Sequence, residues 1–290
     1  MNTFSTDWLS LREGVDHRSR NPALQQQVLS YLEQVGSVKN DPIHIIDLGS
    51  GTGSNLRALA PLIQHSQNWT LVDYDPLLLM AAREKLCAWA DSVSDGAPHG
   101  HLDSNATRPV TLVKNNHEIN VIFLQKDLAG DLQSVLSKPA DLITAAAFFD
   151  LVAVGWLEQF CRALKTPLYT VLTYNGQETW LPVDPWDSKI LEAFHHHQGS
   201  DKGFGSAAGP LALTTLEQLL RKEGFKVVTG SSPWVLGPND SLLIQELAAG
   251  TAKAAAETTL VSNAIAQQWG ESRAQSPKCE IGHDDLFARY

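Results

Sequence analysis

The sequence predicts an α/β fold: a doubly wound sheet, mainly parallel, with an antiparallel last strand and inserted cap segments. Three observations predict it. Apolar runs of strand length alternate with amphipathic helical stretches from about residue 40 onward. The first of these runs, 43–48, passes directly into Gly49-Ser50-Gly51-Thr52-Gly53, a strand feeding a bare-backbone turn at the mouth of a helix. Asp73, Asp127 and Asp150 fall at or just past later strand ends. Open α/β sheets bind ligands beyond the carboxyl ends of their strands, so these acids should converge on one edge.

Each element follows in order. Residues 1–20 mix aromatic and charged groups, among them Phe4, Trp8, Arg12 and Arg18. Asn21-Pro22 has the composition of an N-cap and first helical position, and Leu24, Val28, Tyr31, Leu32 and Val35 share one helical face that Gly36 ends. After strand 43–48 and its turn, a helix starts near Ser54 and is kinked or ended by Pro61. Strand 69–74 leads through Pro76 into an amphipathic helix reaching Trp89. Residues 91–109 read as loop, and 110–114 with 119–125 form a hairpin about Asn115-Asn116. Strand 141–148 precedes a helix over 151–164, and strand 168–174 follows.

Residues 175–210 break the alternation. They hold Trp180, Trp186, His195-His196-His197 and Lys202-Gly203-Phe204-Gly205-Ser206. An insertion of this length is functional or disordered, and its aromatic content argues against disorder. Thr214-x-x-Glu217 reads as a capping box for a helix ending at Gly224. Strand 225–229, an alanine-rich helical stretch over 239–270 and a last strand between Cys279 and Tyr290 complete the chain. The expected division is an N-terminal helical segment, 1–39, and a main domain, 40–290, with insertions at 91–120, 175–210 and 237–275.

Composition narrows the function. The chain has 290 residues, a formal net charge of -10 and a mean hydropathy of -0.15. An acidic protein without a Lys/Arg cluster is a poor partner for a phosphate backbone, which argues against a nucleic-acid substrate. No apolar stretch approaches the roughly 20 residues that span a bilayer, and no secretion signal is evident. Cys87, Cys161 and Cys279 are widely spaced, with no CxxC pair, so reduced thiols in a cytoplasmic protein are expected and no metal site is. Oligomeric state leaves no trace in the sequence.

The glycines stand at 49, 51 and 53, with Asp47 closing the strand before them. Asp73 lies 20 residues beyond Gly53 (73 − 53 = 20), at the end of Leu71-Val72-Asp73. An acid at that distance can take both ribose hydroxyls of a nucleotide-like cofactor and repels a 2′-phosphate. Asp75 sits two residues on and competes for the role. Together with Leu124-Gln125-Lys126-Asp127-Leu128, this pattern resembles the class I S-adenosylmethionine-dependent methyltransferases over roughly residues 40–230. The resemblance implies a Rossmann-like fold and S-adenosyl-L-methionine as cofactor. It implies that Asp47, Gly49, Ser50, Gly51, Gly53 and Asn55 hold the methionyl part. Asp73 and Tyr74 would then serve the ribose, and Asp127 and Leu128 the adenine. It also implies an N-terminal segment folded over the cofactor, with Arg12 or Arg18 placed for the methionyl carboxylate. Asp127 could equally be a helix cap.

Methyl transfer is in-line displacement at a carbon activated by sulfonium, so positioning and water exclusion do most of the work. A base is needed only for a protonated nucleophile. The Asn/Asp-Pro-Pro-Tyr of many amino and base N-methyltransferases is replaced here by Ala145-Ala146-Ala147-Phe148-Phe149-Asp150. That departure counts against a nucleobase or glutamine-amide acceptor. Asp150 remains as an acceptor-binding group or an N-cap for helix 151–164. His195 and His197 are candidate bases, and 175–210 is the candidate acceptor cap. The expected reaction is methyl transfer to an O- or N-nucleophile of a small polar metabolite. His283-Asp284-Asp285 reads as structural.

Overall fold

Strand β1 (Ile43–Leu48) lies at the centre of the sheet, between β2 (Gln67–Asp73) and β6 (Leu142–Ala146), parallel to both. A computed structural model describes residues 4–39, 41–94, 109–201 and 203–290. Lys202 and most of the 91–109 loop lie outside the described residues. The sheet is completed by β3 (Ser92–Ser94), β4 (Val110–Lys114), β5 (His117–Gln125), β7 (Leu168–Leu181), β8 (Lys226–Ser231), β9 (Trp234–Leu236) and β10 (Lys278–Arg289). Its order is β3-β4-β5-β2-β1-β6-β7-β10-β8, with β9 pairing β10. Strands β5, β2, β1, β6 and β7 are mutually parallel, and β10 runs antiparallel to β7 and β8. The last strand in sequence thus enters between two others, which removes an exposed edge from the longest strand.

Burial on both faces explains the near-continuous apolar character of β1. Ile43 and Ile45 join one core, with Val28 and Leu32 of α2 (Pro22–Val38), Trp69, and Leu79 of α4 (Pro76–Trp89). Ile46 and Leu48 join the other, with Val135 of α5 (Leu132–Leu136), Leu157 and Phe160 of α6 (Val154–Ala163) and Leu216 and Leu220 of α8 (Ala212–Lys222). The two-residue period of a strand delivers alternate side chains to opposite faces. Among the described residues, no helix is long and apolar enough to cross a membrane.

Local chemistry accounts for most boundaries. Asn21 Oδ1 accepts from the N–H groups of Ala23 and Leu24 at the start of α2. Asn115 and Asn116, at φ 53° and 65°, make the tight turn joining β4 to β5. The short helix α3 (Ser54–Leu59) passes into a 3-10 turn containing Pro61.

Several expectations are corrected. Helix α2 runs two residues past Gly36. The proposed capping box fails: α8 already begins at Ala212, its N-cap is Leu211, and Glu217 pairs with Arg221 one turn on. A preceding 3-10 turn, Gly209–Leu211, starts the helix from the backbone, so no side-chain cap is needed. The alanine-rich stretch is two helices, α9 (Ser241–Ala256) and α10 (Asn263–Arg273), the second capped by Ser262 Oγ. Strand β7 does not stop at 174: pairing with β10 carries it to Leu181, well into the insertion. Helix α7 (Asp187–Gln198) then packs against α9 and is tied to α10 by Trp269 Nε1–H donating to Asp187 at 2.7 Å and by Arg273 beside Asp184 and Asp187. The segments inserted after β7 and β9 therefore form one continuous cap.

Candidate active site

The glycine turn needs its glycines for two separate reasons. Gly49, Gly51 and Gly53 all have left-handed φ, at 62°, 52° and 75°, where a Cβ is strained. At Gly49 a Cβ would also stand 2.6 Å from the Phe148 ring. Over Gly51 lies Leu9 of the N-terminal helix α1 (Thr6–Ser19), whose Cδ1 is 3.2 Å from where a Cβ would be. Helix α1 is fastened across the turn by Glu13, which takes two bonds from Arg57 at 2.7 Å each, and by His17 at 3.0 Å from Ser54 Oγ.

Asp47 is fully buried in β1. Its Oδ1 accepts from Asn55 Nδ2 at 2.7 Å, and the same amide reaches Thr144 Oγ1 of β6 at 3.1 Å. Burial pushes the Asp47 carboxyl up to about 7, against the Asn55 bond and the charge of Arg20; Asp73 adds repulsion. Asp47 Oδ2, Asn55 Oδ1, Ser50 Oγ and Thr52 Oγ1 are buried with no hydrogen-bond partner.

Asp73 closes the next strand. Its Oδ2 accepts from the Gly51 N–H at 2.7 Å and its Oδ1 from the Asp75 N–H at 3.0 Å. Burial raises its carboxyl, opposed by those bonds. Asp75 is the N-cap of α4, accepting from the Leu77 N–H at 2.8 Å, and Asp73 is the acid bonded to the glycine turn. Tyr74 is exposed. Asp127 accepts from the Ala129 N–H at 3.0 Å, a turn cap, while buried Leu128 holds Trp156 Nε1–H on its carbonyl at 2.7 Å.

The N-terminal arginines are distributed differently from the expectation. Arg12 forms a paired contact with Asp16, at 2.8 and 3.2 Å, and stacks 4.9 Å above the Trp234 ring. Its charge is felt by Asp150 and His283 rather than by Asp47. Arg18 pairs with Asp240 at 2.6 Å. The arginine beside Asp47 is Arg20, only 6% exposed, with Nε and Nη1 unpartnered. Sequence reasoning missed it. Its one signal was position, immediately before the Asn21-Pro22 helix start, and neither spacing nor composition marks such a residue as inward-facing. Asp285, read as structural, is fully buried and ties the same region together, accepting from the Asn21 N–H and the Leu172 N–H at 2.8 Å each.

Asp150 does not cap α6, whose N-cap is Ala153. It sits instead in a 3-10 turn, Phe149–Leu151, after Ala147 adopts φ 49° and turns the chain out of β6. Burial pushes it up to about 6, with Arg12 opposing. Gln198, at the end of α7, donates to Asp150 Oδ2 at 3.5 Å. Phe148 and Trp156 receive Phe204 of the insertion edge-on, at 5.9 and 5.6 Å between ring centres.

The histidines separate. His195 Nε2 lies 3.0 Å from the Tyr174 hydroxyl, which donates its one proton to Glu178 at 3.0 Å. The imidazole nitrogen is therefore the donor of that pair, and burial lowers its pKa, keeping the ring neutral. His197 lies on the α9 side of α7, 2.9 Å from Glu257. His283 is buried, pushed down to about 3 by burial and Arg12, and packs against Trp234 at 4.9 Å and Tyr174 at 6.0 Å. The structure thus gathers Asp47, Asn55, Asp73 and Arg20 at one end of the sheet edge and Asp150, Gln198, Arg12 and Tyr174 at the other, and leaves His197 outside both.

No family model matches the sequence, and no curated protein matches it. Solved structures do. A cyclopropane-fatty-acyl-phospholipid synthase-like protein from Lactobacillus casei is 14% identical, covers 96% of this chain and 99% of its own, and has a TM-score of 0.51. A SAM-dependent methyltransferase from Thiobacillus denitrificans, in complex with S-adenosyl-L-homocysteine, is 14% identical over 99% of this chain and 100% of its own, at a TM-score of 0.44. One from Geobacter sulfurreducens, with the same ligand, is 13% identical over 98% of each chain at 0.44. At such identities the likeness bears on fold: the chain has the Rossmann-like fold expected from its sequence.

Proposed function

We propose that this protein is an S-adenosylmethionine-dependent methyltransferase acting on a small polar metabolite by in-line displacement at an O- or N-nucleophile. One observation carries the proposal. Buried polar atoms normally find partners, yet around the glycine turn Asp47 Oδ2, Ser50 Oγ, Thr52 Oγ1, Asn55 Oδ1 and two nitrogens of Arg20 have none. This is a donor and acceptor set of both signs, suited to a zwitterion.

The set fits the methionyl group of that cofactor. Asp47 and Asn55 offer acceptor oxygens to an ammonium, and Arg20 offers a cation to a carboxylate. Asp73 keeps unused lone pairs on both oxygens, enough for two ribose hydroxyls beside its backbone bonds. Leu128 gives an apolar wall for adenine. When bound, the cofactor supplies a methyl on sulfonium. The chain's own work is to hold the acceptor in line and exclude water, and the aromatic group of Phe148, Trp156 and Phe204 suits the second task. The net charge of -10 favours a small acceptor over nucleic acid, and three cysteines without a CxxC spacing suit the cytoplasm.

Calorimetry with S-adenosylmethionine tests the binding half, with micromolar affinity or better expected. Mass spectrometry of a metabolite extract incubated with methyl-labelled cofactor tests the transfer. Label found only in RNA or protein would overturn the acceptor class, and binding without turnover would leave a cofactor-binding protein.

A further inference from the structure

We propose that the methyl acceptor is a primary amine, held by Asp150 Oδ1 and Gln198 Oε1. The inference rests on the methyl-donor reading and adds the chemical class of the second substrate.

Asp150 and Gln198 come from distant parts of the chain, the turn after β6 and the last residue of α7. They are 7% and 9% exposed. The contact at 3.5 Å from Gln198 Nε2 to Asp150 Oδ2 orients the amide, because only its nitrogen can face a carboxylate. What remains is one oxygen on each residue, Asp150 Oδ1 and Gln198 Oε1, buried without a partner. Both are acceptors, and the neighbouring donors among the described residues are engaged elsewhere. The Tyr174 proton goes to Glu178, His195 Nε2 is engaged with Tyr174, and Arg12 is taken by Asp16.

Two adjacent acceptors select their ligand by proton count. A neutral primary amine has two N–H groups and one lone pair: both hydrogens can be taken and the lone pair left for the methyl. A hydroxyl has one hydrogen and leaves one oxygen unpaired. A carboxylate or phosphate has none and repels Asp150. The step balances. The substrate ammonium releases one proton to water, and its freed lone pair forms the N–C bond. The S–C bond breaks with its electron pair passing to sulfur. A thioether and a methylammonium result, so the positive charge moves from sulfur to nitrogen, beside the Asp150 carboxylate.

Benzylamine and benzyl alcohol, matched in size, are suitable probes, with binding to the full chain read by ligand-observed NMR with and without S-adenosylhomocysteine. The amine should bind at least about tenfold more tightly than the alcohol, the scale of one hydrogen bond to a buried group. Gln198→Met should reduce that preference, leaving the part due to the Asp150 carboxylate, with unchanged calorimetric affinity for S-adenosylhomocysteine. Equal binding of the two probes, or a preference left unchanged by Gln198→Met, overturns the proposal. Label from methyl-labelled cofactor should appear on nitrogen; label on oxygen, sulfur or carbon also overturns it. A chain that fails to bind S-adenosylhomocysteine retracts the methyl-donor reading instead.

Discussion

The two ends of the sheet edge are built in different ways. At the β1–β2 end, Asp47, the glycine turn and Asn55 lie within nine consecutive residues, and Asp73 follows one strand later. At the β6–β7 end, Asp150, Tyr174, His195, Gln198 and Arg12 come from four places in the chain. The first is held by backbone: left-handed glycines, a strand end and a helix start. The second is held by side chains packed on one another, with α7 supplying two members and α1 a third. A backbone-built site repeats wherever the same short motif folds. A packed site can change its ligand by a few substitutions, because no backbone conformation depends on them.

That contrast can be broken. The largest effect is expected at Gly49. Gly49→Val places a branched side chain at φ 62° against Phe148, costing about 1–3 kcal/mol of stability from backbone strain alone. It should also abolish cofactor binding by calorimetry. A variant that still binds would remove the glycine turn from the site.

Next comes the choice of arginine. Arg20→Ala should weaken cofactor binding by about 1.5–3 kcal/mol, the worth of hydrogen bonds to a charged group, while Arg12→Ala should spare it. The reverse result in titration calorimetry would return the carboxylate to Arg12. Asp73→Ala should cost about 1–3 kcal/mol of the same affinity, and unchanged binding would sink the ribose assignment.

A smaller effect separates the two ends kinetically. His195→Ala should lower kcat/KM for the acceptor by roughly 5-fold, since a neutral hydrogen bond orienting Tyr174 is worth about 1 kcal/mol, and leave cofactor affinity alone. His197→Ala should change neither. Equal losses in both variants would show that α7 acts only through folding.

A separate test is the pH dependence at Asp47. Burial raises its carboxyl from 3.8 to about 7 in the folded chain. Between those values the folded state holds a proton that the unfolded state has released. The contribution of this group to stability therefore falls as pH rises through that window. Asp47→Asn removes the term, so the ligand-free variant should gain stability relative to the parent between pH 4 and pH 7.5. Denaturant unfolding at both pH values checks it, and a pH-independent difference would contradict the burial of an unpaired carboxyl. His283 contributes with opposite sign, pushed down to about 3, and cancels when the two proteins are compared.

Local chemistry in the sequence determined most of the sheet and the glycine-turn end. Strand periods, the Asn115-Asn116 turn, the Asn21 cap and Pro76 mark elements within a few residues of where they occur, because each acts over a single turn or strand. The glycine spacing and Asp73 carry the site for the same reason: strand end, turn and helix start are contiguous. Tertiary structure alone decided the rest. It carried β7 on to Leu181 by pairing it with β10, a partner some hundred residues away. It turned Arg20 inward and Arg12 across to Trp234, a choice that depends on how α1 lies over the sheet and not on helical period. It brought Gln198 to Asp150 and left His197 with Glu257, since a helix residue's partner is set by what packs against its face.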